Sequence, residues 1–345
     1  MGSPIRFVVA ALASLVALLI TLPALLIALP FWLVAGGQRL WTRLTHSFGE
    51  PTLPWGALIE YAPGVGWKPK PNMSASALDL AGNRYSLTTD GEGWRASPPD
   101  QGEAEVYVFG DSFAFGFGAS DREFFANISV KRKIRAIGAN GYNMVQELIL
   151  MEQYADRLRG KMVVWFIYHG NDLYENLAPN MGRYRMPFVR QAGDEATWEI
   201  VSGHVTPEPW SLREERDYYG KLAEICCDTP LAESAFGAAR YLIRRGKALC
   251  EEKGAGLAVV SLPDIVQLDA NRSHLLAKRA PDPESFDIDR PDKELKKICD
   301  QEGLRFATIK DVLQGNDYIH NDVHWNAKGN RRVADLIQTL YLERR

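Results

Sequence analysis

The sequence predicts an α/β protein in which helices cover both faces of a mostly parallel, five-stranded sheet. Two observations predict this fold. From residue 105 onward, short apolar runs alternate with segments of helical periodicity, which is the pattern of a parallel sheet. The runs at 106–109 and 162–168 are each closely followed by a glycine and polar residues, as at the carboxyl edge of such sheets. A chain of 345 residues has room for one large domain with a small appendage.

The individual elements follow from apolar runs for strands and from apolar residues three or four positions apart for helices. The predicted strands are 106–109, 135–138, 162–168, 256–262 and 305–309. The predicted helices are 121–133, 145–158, 231–253, 292–302 and 327–343. In the last helix, Val333, Leu336, Ile337 and Leu340 share one face, which predicts that this face packs on the sheet.

The composition excludes several classes of protein. A charged fraction of 24% and a formal net charge of −3 give no basic excess, so we expect no nucleic-acid partner. The four cysteines do not have zinc-ligand spacing, so we expect neither a metal nor another cofactor. Two disulfides or four buried free thiols are equally compatible with the cysteine count.

Residues 7–36 contain no charged residue and are almost entirely apolar. Thirty helical residues rise about 45 Å, which exceeds a hydrocarbon core of about 30 Å, so we expect one tilted transmembrane helix, kinked at Pro23 or Pro30. The run is too long for the apolar part of a cleaved signal peptide. A buried core helix or a re-entrant hairpin through Pro23 would also produce an uncharged run. Because the run is long enough to span a bilayer, we assign residues 1–46 to a membrane anchor. The arginines on its two sides do not decide its orientation.

Two further regions are rich in turn-forming residues. We interpret residues 47–104 as a linker and a small β element packed on the main domain, with a hairpin within 77–88. We expect residues 174–232 to form an irregular insert in the domain that spans 105–345, and an insert of this length is typical of a lid, a binding loop or a disordered segment.

Four polar segments fall at predicted strand ends or just before the last helix, so one edge of the sheet can bring them together. Ser112 is the candidate nucleophile, His324 its base, and Asp322 the group that orients the imidazole. The main-chain N–H groups of Ser112 and Gly141 and the side chain of Asn171 are the candidate oxyanion hole. Each segment alone has a plainer interpretation as a turn or a helix cap.

In order and spacing, these segments resemble the four blocks of the SGNH hydrolases, also called the GDSL superfamily. The matching segments are Gly110-Asp111-Ser112, Gly138-Ala139-Asn140-Gly141, Gly170-Asn171-Asp172 and Asp322-Val323-His324. The resemblance covers about 105–343, and the turn at 89–95 resembles the lead-in of membrane-anchored bacterial members. It implies a flavodoxin-like sheet and ester hydrolysis or O-acyl transfer. Many members place the aspartate three residues before the histidine, whereas Asp322 stands two before it, and Ala136 replaces a frequent asparagine.

The two-residue spacing resembles members that act on bacterial polysaccharides. We therefore expect a membrane-anchored serine esterase or O-acyltransferase, with an extracytoplasmic (periplasmic) domain acting on acetyl or other acyl groups of a carbohydrate. A lipid esterase or thioesterase is the second hypothesis, and a deep apolar groove beside Ser112 would favour it, whereas a shallow aromatic cleft would favour a sugar. A non-catalytic subunit of a membrane-protein assembly is the third. Three further residues are predicted to line the substrate site: Asp111, His169 and Trp325.

Overall fold

A computed structural model describes residues 52–96, 103–129, 131–181, 184–193, 197–208, 217–269 and 271–343 of the chain. The predicted membrane segment at 7–36 lies outside these residues. Among the helices that the structure describes, none combines the length and the apolar character needed to cross a bilayer.

The strands and helices are numbered here in chain order. The strands are β1 (Ile59–Ala62), β2 (Gly66–Pro69), β3 (Ser74–Leu78), β4 (Arg84–Thr88), β5 (Val106–Gly110), β6 (Ile134–Gly138), β7 (Met162–Tyr168), β8 (Asn180–Met181), β9 (Tyr184–Arg185), β10 (Phe188–Gln191), β11 (Trp198–Val201), β12 (Gly256–Leu262) and β13 (Arg305–Thr308). The α-helices are α1 (Trp55–Leu58), α2 (Ser112–Phe115), α3 (Phe125–Ile128), α4 (Met144–Gln153), α5 (Asp172–Glu175), α6 (Tyr218–Ile225), α7 (Pro230–Glu252), α8 (Ile265–Leu268), α9 (His274–Ala277), α10 (Arg290–Glu302) and α11 (Ala327–Leu342).

The central sheet has five strands in the order β13-β12-β7-β5-β6, and every neighbouring pair is parallel. Numbered along the chain within the sheet, this order is 2-1-3-4-5, which is the flavodoxin-like arrangement. The order of the strands reverses beside β5, so the crevice of the sheet opens where β5 ends. The predicted parallel sheet of five strands is confirmed.

Helices cover both faces of this sheet and form a three-layer α/β/α structure. Helices α4, α7 and α10 bury their apolar residues against one face. Helices α3, α6 and α11 contribute to the apolar cluster on the other face. Strands β7 and β12 are buried along nearly their whole length because both faces are covered, which explains their continuously apolar sequences.

The predicted helix at 121–133 is wrong, since within the described residues helix occupies only Phe125–Ile128. Phe124 and Phe125 are consecutive and both buried, and their rings pack edge to face at 4.6 Å. The backbone is extended at Phe124 (ψ 130°) and again at Ser129 (ψ 106°), so the helix is limited to the single turn between them.

The N-terminal β region is held to the main domain by polar contacts. Hairpins β1–β2 and β3–β4 are both antiparallel. Trp67 Nε1 donates to the Asn140 carbonyl at 3.1 Å, and Gln146 Nε2 donates to the Val65 carbonyl at 2.7 Å. These bonds tie hairpin β1–β2 to the loop and helix that follow β6.

The insert at 174–232 is more regular than predicted. Its described residues form the antiparallel strand pairs β8–β9 and β10–β11 and the helix α6. The helix begins after Asp217, whose side chain accepts a hydrogen bond from the Gly220 N–H.

All four cysteines are buried free thiols. Burial raises the pKa of Cys226, Cys250 and Cys299 to about 12, so these thiols stay protonated at neutral pH.

Candidate active site

Ser112, His324 and Asp322 form a continuous hydrogen-bonded chain at the carboxyl edge of the sheet. His324 Nδ1 lies 2.6 Å from Asp322 Oδ1, and His324 Nε2 lies 2.8 Å from Ser112 Oγ. With its Nδ1–H donating to the carboxylate, the imidazole has Nε2 unprotonated and accepts the serine hydroxyl proton there. This is the geometry that a nucleophile, its general base and an orienting acid require.

Ser112 is placed by a sharp change from strand to helix. It is the first residue of α2, directly after Asp111, whose carboxylate accepts a hydrogen bond from the Phe113 N–H at 3.0 Å. Gly138, at the end of the neighbouring strand, lies so close to this turn that a Cβ there would be 2.3 Å from the Gly110 carbonyl oxygen. The nucleophile turn therefore requires glycine at the end of β6.

Asp322 is fixed from the N-terminal region of the chain. The Leu80 main-chain N–H donates to Asp322 Oδ2 at 2.8 Å, while Oδ1 accepts from both the main-chain and ring nitrogens of His324. Burial alone would raise the pKa of Asp322, but the hydrogen bonds from His324 and Leu80 outweigh it and hold the pKa below its ordinary value. The carboxylate therefore stays ionised beside the imidazole.

The imidazole of His324 is enclosed by two phenylalanine rings. The Phe113 and Phe117 ring centroids lie 4.9 Å and 4.7 Å from that of His324. Only 6% of His324 and 8% of Ser112 are exposed. Enclosure of this kind fixes the ring orientation and lowers the effective dielectric constant around the reacting groups.

The predicted oxyanion donors come from the start of α2 and from the loops that follow β6 and β7. Asn171 Nδ2 donates to the Tyr142 carbonyl at 3.0 Å, which ties the loop after β7 to the residue that follows Gly141. Within the described part of the chain, the N–H groups of Ser112 and Gly141 donate to no protein acceptor. Both are thus available to an oxyanion, as the role requires.

Gly141 has a φ of +73°, a left-handed conformation that favours glycine. A Cβ at this position would lie 2.0 Å from Cε and 2.1 Å from Sδ of Met181. The Met181 side chain therefore covers Gly141, and strand β8 of the insert contributes to the wall of the site.

Several buried carboxyls lie behind the reacting groups. Burial raises the pKa of Asp111 to about 6, and the Phe113 N–H offsets this only in part. Burial also raises the pKa of Glu147 and Asp172 well above the ordinary range. Asp111 Oδ2 lies 3.4 Å from Ser112 Oγ, so the charge of this carboxyl is felt at the nucleophile.

Arg95 supports the far end of the nucleophile helix. Its guanidinium is fully buried, and it donates to the carbonyls of Gly116 and Ala119 at 3.0 Å. It also pairs with Asp121 at 2.8 Å and lies 4.7 Å from the centroid of the Phe124 ring. The turn at 89–95 thereby fixes the segment that follows Ser112.

The three residues predicted to line the substrate site do not do so, because they have almost no exposed surface. Asp111 is 1% exposed, His169 0% and Trp325 2%. His169 instead bonds Ser261 Oγ at 2.7 Å and Gln267 Oε1 at 3.0 Å. Trp325 packs in the core, as its ring contacts with Phe113, Phe125 and Phe166 show.

Other residues of the site were not predicted. Leu80 acts through its main chain, which carries no signature in the sequence. Arg95 lies in a turn that the sequence singled out, but nothing in the sequence shows that its side chain is buried. Met181 and Phe117 belong to segments that we interpreted only as insert and turn.

No protein-family model matches the chain, and no curated protein is similar to it in sequence. Solved structures provide distant likenesses. They include a carbohydrate acetylesterase family member from Sinorhizobium meliloti, with 16% identity, a TM-score of 0.39, and coverage of 68% of this chain and 96% of that one. A GDSL-like lipase from Bacteroides thetaiotaomicron has 12% identity and a TM-score of 0.39, with coverage of 71% and 91%.

A psychrotrophic esterase from a Pseudoalteromonas species has 12% identity and a TM-score of 0.34, with coverage of 69% and 98%. These three proteins are named as a carbohydrate acetylesterase family member, a lipase and an esterase. The chemistry of this chain is inferred from its own residues.

Proposed function

We propose that the protein is a serine esterase or O-acyltransferase of the SGNH type. The observation that carries the proposal is a pair of hydrogen bonds. One joins Ser112 Oγ to His324 Nε2 at 2.8 Å, and the other joins His324 Nδ1 to the buried carboxylate of Asp322 at 2.6 Å. The free N–H groups of Ser112 and Gly141 support it, because acyl transfer needs donors for the developing oxyanion.

The reaction proceeds through an acyl-enzyme. Ser112 Oγ attacks the ester carbonyl carbon while His324 Nε2 takes the hydroxyl proton, and the carbonyl oxygen becomes an oxyanion held by the predicted donors. The imidazolium, stabilised by Asp322, then gives its proton to the alkoxide that leaves. In the second half, water or another alcohol gives its proton to His324 and attacks the acyl carbon. The bond from the acyl carbon to Ser112 Oγ then breaks, and His324 returns the proton to that oxygen, which releases the acyl group and restores the serine hydroxyl.

The expected substrate is an acyl ester of an extracytoplasmic carbohydrate, with the enzyme held at a membrane. The two-residue spacing of Asp322 and His324 supports a carbohydrate ester as the substrate, and the apolar sequence at 7–36 supports attachment to a membrane. Water as the acceptor would give hydrolysis, and a polymer hydroxyl would give O-acyl transfer. A lipid ester is the second candidate substrate, and an apolar cavity lined in part by Leu80 and Phe117 favours it.

A non-catalytic role has less support. Such a protein would not need to keep a nucleophile, a base and an orienting acid within hydrogen-bond distance. The His324 Nε2 to Ser112 Oγ separation of 2.8 Å lies within the range of a functional pair.

The test is hydrolysis of 4-nitrophenyl acetate by the full chain and by Ser112→Ala. We expect the substitution to abolish turnover, whereas Ser74→Ala, at an exposed position of β3, leaves it unchanged. Turnover that survives in Ser112→Ala would contradict the assignment of the nucleophile. A wild-type chain that hydrolyses neither this ester nor longer ones would contradict the proposed function.

A further inference from the structure

An apolar cavity of about 380 Å³ lies between the N-terminal β region and the nucleophile loop. Its floor includes Leu58, Ala77 and Phe117, and all three side chains are buried. Leu78 and Leu80 line its rim and are 48% and 65% exposed. A cavity of this size is within the range of small-molecule sites.

Two residues belong both to this cavity and to the candidate active site. The Phe117 ring lines the cavity and also packs 4.7 Å from the ring of His324. Leu80 lines the cavity with its side chain, while its main-chain N–H donates to Asp322. The cavity is therefore separated from the imidazole by the thickness of one aromatic ring.

The chemistry of the walls selects the occupant. Among the described residues no charged side chain lines the cavity, and its polar lining residues are Thr52 and Tyr85. These two hydroxyl groups would pair with only a part of a sugar ring's hydroxyl groups, and leaving the others without partners costs free energy. An alkyl chain would bury apolar surface on both sides of the contact. The exposed leucines at the rim gain from the same burial.

We propose that this cavity binds an apolar chain of the ester substrate. The inference depends on the proposed function and narrows it, because it names the part of the substrate that is recognised beyond the ester group. This apolar chain belongs either to the acyl group or to the alcohol of the ester. Both parts pass close to the site, because Ser112 attacks the acyl carbon and His324 protonates the leaving alcohol oxygen. The substrate class is then an ester with an aliphatic chain of several carbons.

The experiment uses two series of esters on the full chain. The acyl arm compares 4-nitrophenyl hexanoate with 4-nitrophenyl acetate, and the alcohol arm compares hexyl acetate with ethyl acetate. In one arm we expect kcat/KM to favour the longer chain by at least about tenfold, since each buried methylene adds to binding. The arm that shows the preference identifies which side of the ester enters the cavity.

Two variants test the cavity itself. Ala77→Leu fills its floor, and Leu78→Lys makes its rim polar without changing the core. Both should lower the chain-length preference at least about fivefold, whereas Leu275→Ala, at an exposed position of α9, leaves it unchanged. Because Leu78 is half exposed, Leu78→Lys should fold, and it tests the cavity even if Ala77→Leu folds poorly.

The outcomes separate the two proposals. Ser112-dependent hydrolysis with no chain-length preference in either arm, or with a preference that both variants retain, overturns the cavity inference and leaves the proposed function intact. If no ester is hydrolysed, the proposed function fails, and binding of hexyl acetate to Ser112→Ala is followed by saturation-transfer NMR. Binding that Leu78→Lys weakens supports the cavity, and an absence of binding overturns it.

Discussion

The main-chain N–H of Leu80 and the carboxylate of Asp322 are 242 positions apart in sequence and 2.8 Å apart in space. The hairpin turn that presents Leu80 is itself fixed, because Asp79 accepts hydrogen bonds from the main chain and the side chain of Asn83. The orienting acid of the site thus has one of its donors from a region that precedes the central sheet. This relationship leads to the first prediction.

Removal of the Leu80 N–H should weaken catalysis. Leu80→Pro deletes this donor and Leu80→Ala keeps it, so the pair isolates the hydrogen bond. We expect Leu80→Pro to have about tenfold lower kcat on 4-nitrophenyl acetate than Leu80→Ala, because a hydrogen bond to a charged group is worth about 1.5–3 kcal/mol. Circular dichroism and thermal unfolding check that the hairpin is intact in both. Equal kcat values would show that the contact does not position Asp322.

Loss of the Asn171 amide should slow the chemical step. Asn171→Ala removes a predicted oxyanion donor, and such a loss typically costs about 2.7–4 kcal/mol of transition-state stabilisation. We expect kcat to fall by about 10²- to 10³-fold with little change in KM, measured by steady-state kinetics on the acetate ester. A rise in KM with unchanged kcat would instead assign the side chain to substrate binding.

Replacement of Asp111 should change how stability depends on pH. Because burial raises its pKa from 3.8 to about 6, the folded chain binds more protons than the unfolded chain between these values. The free energy of unfolding therefore falls as the pH rises through this window. Asp111→Asn removes this contribution. The free energy of unfolding, measured by urea denaturation at several pH values, should then fall less steeply with pH and be about 1–3 kcal/mol higher at pH 7. An unchanged dependence on pH would contradict the raised pKa.

Removal of the Arg95 guanidinium should destabilise the fold. Arg95→Met leaves the Ala119 carbonyl without its donor and removes one of the two donors to the Gly116 carbonyl. It also removes the cation beside Asp121, which keeps only its hydrogen bonds from Thr88, and breaking a buried ion pair typically costs about 3–5 kcal/mol. Arg122→Met is the matched control, because the Arg122 side chain is 87% exposed and should contribute less than about 0.5 kcal/mol. Urea denaturation of both variants measures the difference. Similar losses in the two would contradict the supporting role of Arg95.

Much of the central sheet was predictable from sequence because its strands are buried on both faces. The observed bounds of β7 and β12 coincide with the predicted 162–168 and 256–262. The helices at 231–253 and 327–343 were also placed to within a residue, since long amphipathic patterns are unambiguous. The prediction of a helix over 121–133 was wrong because Phe124 and Phe125 are held by tertiary contacts in the core, which the local sequence pattern does not reveal.

The site was predictable only where side-chain identity carries the chemistry. Ser112 was found because a hydroxyl follows a predicted strand, and Asp322 and His324 because a carboxylate and an imidazole stand two residues apart just before the last helix. The structure brings the three together. The donor from Leu80 was not predictable, because a main-chain N–H is the same in nearly every residue. The burial of His169 was also not predictable, because its partners Ser261 and Gln267 are distant in sequence.

The Arg95 guanidinium has a consequence for where the catalytic unit starts along the chain. The four sequence blocks begin at Gly110, so a boundary drawn from them would retain every side chain of the triad. Such a fragment would lack the cation that satisfies the carbonyls of Gly116 and Ala119. The smallest fragment expected to fold with this site intact therefore begins earlier than the sequence motifs suggest. A fusion that transfers the site to another protein should include residues 52–96.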